Sequence, residues 1–332
     1  MNKENSQPGF VSGVWKNISK SSLFGAAVIV IVLLAVMLVI KPNYLSGTNI
    51  YTLAKVMAVT TLVGFSQMTV IACNGLNLSI GSTGALSAVI AGWAMTNAGI
   101  PWWLAVLMGI ATGILCGALN GLLVYRAGGV GVAFFLTTLA TSSIYQGLNL
   151  TITSGNPFYG PGGKMDKAFL ALGNTKILDL PASFFIMLLI AVLLILMYKK
   201  FSVGRQMLAF GANNKAAELY GVSKFKTVLA ANVIAGLLAG IAGILAMIRI
   251  EAAQPNMGAD WMLLSFAAPL IGGTRNSGGK VNVVGAMFGA LALTIITNAL
   301  VHLRVDVYWN TLIYGVIILL AVTIDRFRYI RK

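Results

Sequence analysis

Ten runs of predominantly apolar residues recur along this chain, at 23–40, 52–72, 79–98, 102–125, 130–152, 181–198, 227–248, 261–273, 281–301 and 307–324. Most have the length of a bilayer crossing, which takes roughly 20 such residues in a helix. Inside hydrocarbon the backbone must bond to itself, and continuous apolar runs of this length do so as helices. Of the 332 residues, 58% are hydrophobic and only 9% charged, where a soluble domain carries about 45–50% and about 25%. That balance excludes a cytosolic enzyme, a disordered chain and a secreted disulfide scaffold. The expected fold class is an all-α polytopic membrane protein with about ten transmembrane helices.

The charges locate the two sides. With the N-terminus inside and ten alternating crossings, the inner segments hold 16 Lys and Arg against three acids, and the outer segments six against five. Such an excess of inner basic residues sets orientation in a membrane, so both termini are expected in the cytoplasm. The net charge of +15 is then a topology signal, and nucleic acid is not an expected partner; the lipid bilayer is. The polar first 22 residues precede an apolar run too long for an ordinary signal peptide, with no small-residue cleavage site after it. That run reads as an uncleaved anchor.

The runs hold no Asp or Glu, and the one histidine, His302, falls at the outer edge of the ninth. Ion-driven carriers rely on intramembrane carboxylates or histidines, so this chain lacks the groups to power uphill transport alone. It also lacks the ligands for a metal or haem centre and the acid–base pair for hydrolysis. Cys73 and Cys116 lie in or beside apolar runs and read as small hydrophobes. Lys55, early in the second run, can extend its ammonium outward along its stem. The stretch from Gly273 to Val281 has a phosphate-loop look, but its spacing is off by one and Val281 stands where a Ser or Thr would hold magnesium. No nucleotide site is expected.

The spans do hold small residues and amides. Gly109, Gly113, Gly117 and Gly121 form one stripe on the fourth run, and Gly236/Gly240 and Gly285/Gly289 repeat the spacing. Small residues four apart let helix backbones approach closely in lipid. Gln67, Asn120, Gln146, Asn149, Asn232 and Asn298 supply neutral hydrogen-bonding groups, either as glue between helices or as the lining of a path for a neutral polyol. The eighth run is short and broken by Pro269, Gly272 and Gly273, and the second is expected to run on irregularly through 74–77. Residues 78–82 and 277–280, about 200 positions apart, share a small-residue pattern compatible with a duplicated half.

Two loops are long. The outer one, 153–180, is rich in turn formers. The inner one, 199–226, is polar and basic; Asn213 and Asn214 can cap a short helix over 215–220, and Gly221 is a natural stop. A short rigid helix between basic flanks is either an ordinary connector or a handle for a cytoplasmic partner.

Three stretches together carry a family likeness. Residues 74–82 read NGLNLSIGS, residues 211–222 read GANNKAAELYGV, and residues 271–291 read IGGTRNSGGKVNVVGAMFGAL. In order and spacing they resemble the motifs of the permease subunit of ribose-type bacterial sugar ABC importers. The chain departs at Asn77, where that family usually has Asp, at Asn74 and Leu76, and at Lys280 and Val281. The resemblance implies a cytoplasmic segment 1–22, one permease domain 23–325 and a cytoplasmic tail 326–332, in the bacterial inner membrane. It implies a second permease copy or sister permease, a cytoplasmic ATPase subunit carrying ATP and magnesium, and an extracytoplasmic sugar-binding protein. The chain itself would be no enzyme and hold no cofactor. Coupling to the ATPase would fall to Gly211, Asn213, Ala216, Ala217, Glu218 and Gly221. Candidate pathway or gate residues are Gln67, Asn74, Asn77, Ser79, Gly272 and Gly273. An importer of branched-chain amino acids or nucleosides, and a stand-alone facilitator or channel, are the alternative readings.

Overall fold

A computed structural model describes residues 22–159, 165–306, 309, 311–316, 319 and 323. Apolar helices dominate it: α1 (Ser22–Ile40), α2 (Gly47–Ala72), α3 (Ile80–Thr96), α4 (Trp102–Arg126), α5 (Val132–Thr153), α6 (Lys167–Asn174), α7 (Ala182–Lys200), α8 (Ser202–Ala212), α9 (Asn214–Leu219), α10 (Lys224–Ile250), α11 (Trp261–Ile271) and α12 (Val283–His302). Helices α2, α4, α7, α10 and α12 are long and apolar enough to cross a membrane, while Gly25–Ile40, α3 and α11 are shorter apolar helices. The chain is therefore an all-α polytopic membrane protein in its described part. Half of the expected tenth run, 307–324, falls outside the described residues, as do the segments 1–21 and 324–332.

Helix α2 is the centre of the bundle. From Met57 to Ala72 every residue is buried, which requires neighbours all round rather than one apolar face. Helices α10, α11, α12 and α7 supply them. Helices α1, α5 and α7 instead carry large exposed apolar side chains such as Val39, Leu136 and Leu189, the composition of a lipid-facing surface.

The glycine stripe on α4 seats this helix against α10. A Cβ on Gly117 would collide with the Asn232 carbonyl oxygen, and one on Gly236 with that of Gly113. Two backbones this close gain dispersion along their length, which replaces the absent hydrophobic drive in lipid. Gly285 and Gly289 do the same for α12 against α11, at Gly272 and Ala268.

The described part of the loop 153–180 has more order than its turn-rich composition suggests. Phe158–Tyr159 (β1) pairs antiparallel with Ala252–Ala253 (β4), and Lys176–Ile177 (β2) pairs with Leu180–Pro181 (β3). The β2–β3 turn puts Leu178 and Asp179 both at positive φ, 51° and 60°, as a two-residue hairpin of the primed type demands. Between β1 and β2, α6 is capped by Asp166, whose carboxylate accepts from the Ala168 N–H at 2.8 Å; the helix buries Phe169.

At the opposite loop, one expected helix becomes two. Residues 202–212 form α8, with Gly204, Met207, Phe210 and Gly211 buried. The spacing is that of one helical face, which the polar flanks had concealed.

Candidate functional site

The three stretches singled out in the sequence lie far apart along the chain and meet at one place. After Ala72 the chain leaves helix, with Asn74 in the left-handed region at φ 58°, and resumes at Ile80. After Ile271 it breaks again, with Gly273, Gly278 and Gly279 all at positive φ, and resumes at Val283. The two breaks touch: the Gly279 N–H donates to the Ala72 carbonyl at 3.2 Å. Gly211, at the end of α8, closes the junction. A Cβ there would run into the Ala72 carbonyl oxygen and stand 2.8 Å from Gly279 N. On Gly278 it would stand 2.8 Å from both Asn74 N and the Gly211 carbonyl oxygen. Only residues without side chains can bring three backbone segments this close.

The first break is held by a buried polar chain. Asn77, 3% exposed, accepts at Oδ1 from the Ser79 N–H and from Ser79 Oγ, both at 2.8 Å. Ser79 Oγ accepts in turn from Asn120 Nδ2 at 2.7 Å, and Tyr145 donates its hydroxyl to Asn120 Oδ1 at 3.1 Å. In the orientation that satisfies both of its ends, the Gln67 carboxamide donates to the Asn77 carbonyl at 2.9 Å and accepts from the Asn77 N–H at 3.2 Å. Thr138 on α5 accepts from the Leu78 N–H at 3.1 Å and donates to the Phe134 carbonyl at 2.8 Å. The freed backbone groups of the break thus find side-chain partners, as membrane depth requires.

The second break is clasped by Asn282. Its Oδ1 accepts from the Gly285 N–H at 2.9 Å, capping α12, and its Nδ2 donates to the Gly272 carbonyl at 3.2 Å. Thr274, buried, accepts from the Asn282 N–H at 3.3 Å.

Helix α9 projects from the junction. Asn213 caps it, its Oδ1 accepting from the Ala216 N–H at 3.0 Å. At its other end Gly221 takes φ 82°, with Gly221 N–H to the Glu218 carbonyl and Val222 N–H to the Ala217 carbonyl, both 3.0 Å. This paired pattern is a Schellman stop, and glycine suits its left-handed residue. Ala217 is buried, whereas Asn213, Glu218 and Gly221 face outward. Leu219 and Tyr220 are 89% and 91% exposed, a pair at the end of a helix too short to bury them itself.

Of the sequence-predicted residues, Gln67, Asn77 and Ser79 come together in one network, and Asn74 joins Gly211 and Gly278 at the junction. Gly272 lies against Gly285 at the α11–α12 crossing, with Gly273 following in the turn. Thr138, Tyr145 and Asn282 were not anticipated. Thr138 and Tyr145 are seven apart on α5, two turns along one face, and that spacing of polar residues was the available signal. Among the described residues no group of three His, Cys, Asp or Glu gathers to hold a metal ion.

The family model described as branched-chain amino acid transport system / permease component matches residues 49–322. The ribose import permease of Bacillus subtilis is 34% identical over 296 residues, covering 89% of this chain and 90% of the relative. The D-allose transport system permease of Escherichia coli is 30% identical over 304 residues, 91% of each. The galactose/methyl galactoside import permease of the same organism is 29% identical, over 93% of this chain and 95% of the relative. No solved structure matches. The family match takes in all but the first two residues of α2, the whole of α3 to α12 and every residue of the junction, and we conclude that this chain belongs to that permease-component family, with a likeness to ribose-type permeases along nine-tenths of its length.

Proposed function

We infer that this chain is the membrane-spanning permease subunit of a sugar ABC importer, passing a monosaccharide or sugar-like solute delivered by an extracytoplasmic binding protein. The observation that carries the reading is the backbone junction. It joins the foot of α9 to both breaks in the bundle, so a force applied at α9 acts directly on the segments best placed to gate a path.

In this reading a separate ATPase subunit binds ATP and magnesium and seats α9, with Asn213, Ala216, Ala217, Glu218 and Gly221 shaping the docking element. Gly211 transmits from behind it. Gln67, Asn74, Asn77, Ser79, Gly272 and Gly273 border the gate. The polar groups of Gln67, Asn77 and Ser79 are bonded to one another rather than offered to a ligand, which suits a closed gate. A second permease copy or a sister permease completes the core, and ten crossings place both termini in the cytoplasm of a bacterial inner membrane.

The family description names branched-chain amino acids, so the decisive assay carries both solute classes. Proteoliposomes holding the permease, its ATPase and its binding protein should accumulate a pentose or hexose with ATP, and not leucine. The permease alone should pass neither, and flux through it alone would make it a facilitator. Glu218→Lys and Gly221→Pro should abolish ATP-driven uptake while the protein stays in the membrane. Normal uptake in both variants would remove the docking role.

A further inference from the structure

A cavity of about 360 Å³ opens on the flank of the bundle, beneath the outer helix α6 and between α4 and α7. Trp102 and Ile110 line one wall, Ser183 and Ile186 the other, and Ile244 of α10 the back. Trp102 and Ile110 are eight residues apart on one helix, so the cleft runs about 12 Å along the bundle. Its lining is almost wholly apolar, which makes it a poor seat for a sugar.

The exception is two cations. Lys55 and Arg249 both line the cavity, and no lining residue carries a carboxylate. Lys55 Nζ donates to Asn174 Oδ1 of α6 at 3.1 Å and lies 4.7 Å from the centre of the Tyr51 ring. Lys176 Nζ approaches the same ring at 5.2 Å. An ammonium has three donors, so Lys55 keeps two. Asp260 lies near enough to Arg249 to interact with it and offsets part of that charge.

We propose that this cleft binds one anionic phospholipid of the outer leaflet, its phosphate held by Lys55 and Arg249 and an acyl chain laid along Trp102, Ile110, Ile186 and Ile244. The volume falls at the low end of the 300–1,000 Å³ typical of ligand pockets. The apolar walls suit an acyl chain, and the two cations select a phosphate of net negative charge over a zwitterionic one. The proposal goes beyond the transport reading and does not depend on it.

The test is native mass spectrometry of the delipidated full-length protein in a neutral detergent, titrated separately with phosphatidylglycerol and phosphatidylcholine. One phosphatidylglycerol per chain should persist at concentrations where phosphatidylcholine is lost. Lys55→Gln and Arg249→Gln should each weaken it about tenfold, the loss of one charge-assisted hydrogen bond, and Lys55→Arg should restore it. Ser183→Trp, which fills the cleft, should abolish it. Equal retention of the two lipids would overturn the proposal, as would phosphatidylglycerol binding unchanged in every variant. Loss of self-association in Ser183→Trp with an unaltered lipid count would also overturn it and assign the cleft to a second copy.

Discussion

The Gly279 amide donates across the bundle to the Ala72 carbonyl at 3.2 Å, joining two helix breaks that lie more than 200 residues apart in the chain. Ala72 ends α2 and so has a carbonyl with no partner within its own helix. Gly279, at φ 74°, turns its N–H to meet it. This one bond satisfies a helix end and fixes the relative position of the two interrupted segments.

The junction makes Gly211 intolerant of a side chain. Gly211→Val should cost about 1–3 kcal/mol by overpacking, and more of the cost should appear in transport than in stability if the junction must move. Thermal unfolding in detergent and ATP-driven uptake, measured on one preparation, separate the two effects. Full uptake in Gly211→Val would show that the junction transmits nothing.

Asn77 acts through its side-chain oxygen. Asn77→Ala strands the buried Ser79 N–H and should destabilise the protein by about 1–3 kcal/mol. Asn77→Asp keeps the acceptor and should hold the Asx turn, so its melting temperature should lie well above that of Asn77→Ala.

The α4–α10 contact gives a paired control. Gly117→Ala meets the Asn232 carbonyl oxygen and should lower the melting temperature. Gly147→Ala, inside α5 with nothing within 4 Å of the new Cβ, should be neutral or raise stability by about 0.5–1 kcal/mol through helix propensity.

Tyr44, in the turn after α1, is 1% exposed, and burial pushes its phenol up to about 12. A raised acid pKa means that the unfolded chain ionises first. Its contribution is intact below pH 10 and declines from pH 10 to 12. Alkaline unfolding should therefore be less steep in Tyr44→Phe. The hydroxyl has no hydrogen-bond partner among the described residues, so the same variant should match or exceed the wild type at neutral pH.

Much of this architecture could be read from residue type and spacing. The apolar runs located the helices because lipid permits no other continuous backbone, and the Asn213–Gly221 element was legible because caps and stops need particular side chains. Lys55 does reach away from its own helix, to Asn174. The order in the outer loop was not legible: strands of two residues carry no periodicity, and α6 is defined by a cap and one buried Phe169. Helix α8 was hidden by Lys199, Lys200 and Arg205, whose polarity masked the buried face behind them. Nor could the sequence show that Gln67, Asn77 and Ser79 bond one another. Their spacing allowed a ligand path equally well, and only the return of the chain at Asn120 and Tyr145 closes the network.

Cys73 follows Ala72 immediately, is a free thiol, and has no exposed surface. Cys116 is buried as well, at 4% exposure. The native molecule thus contains its own alkylation clock: maleimide reaches residue 73 only when the seam beside it parts. The labelling rate, with and without nucleotide, times that parting in a protein carrying no foreign probe.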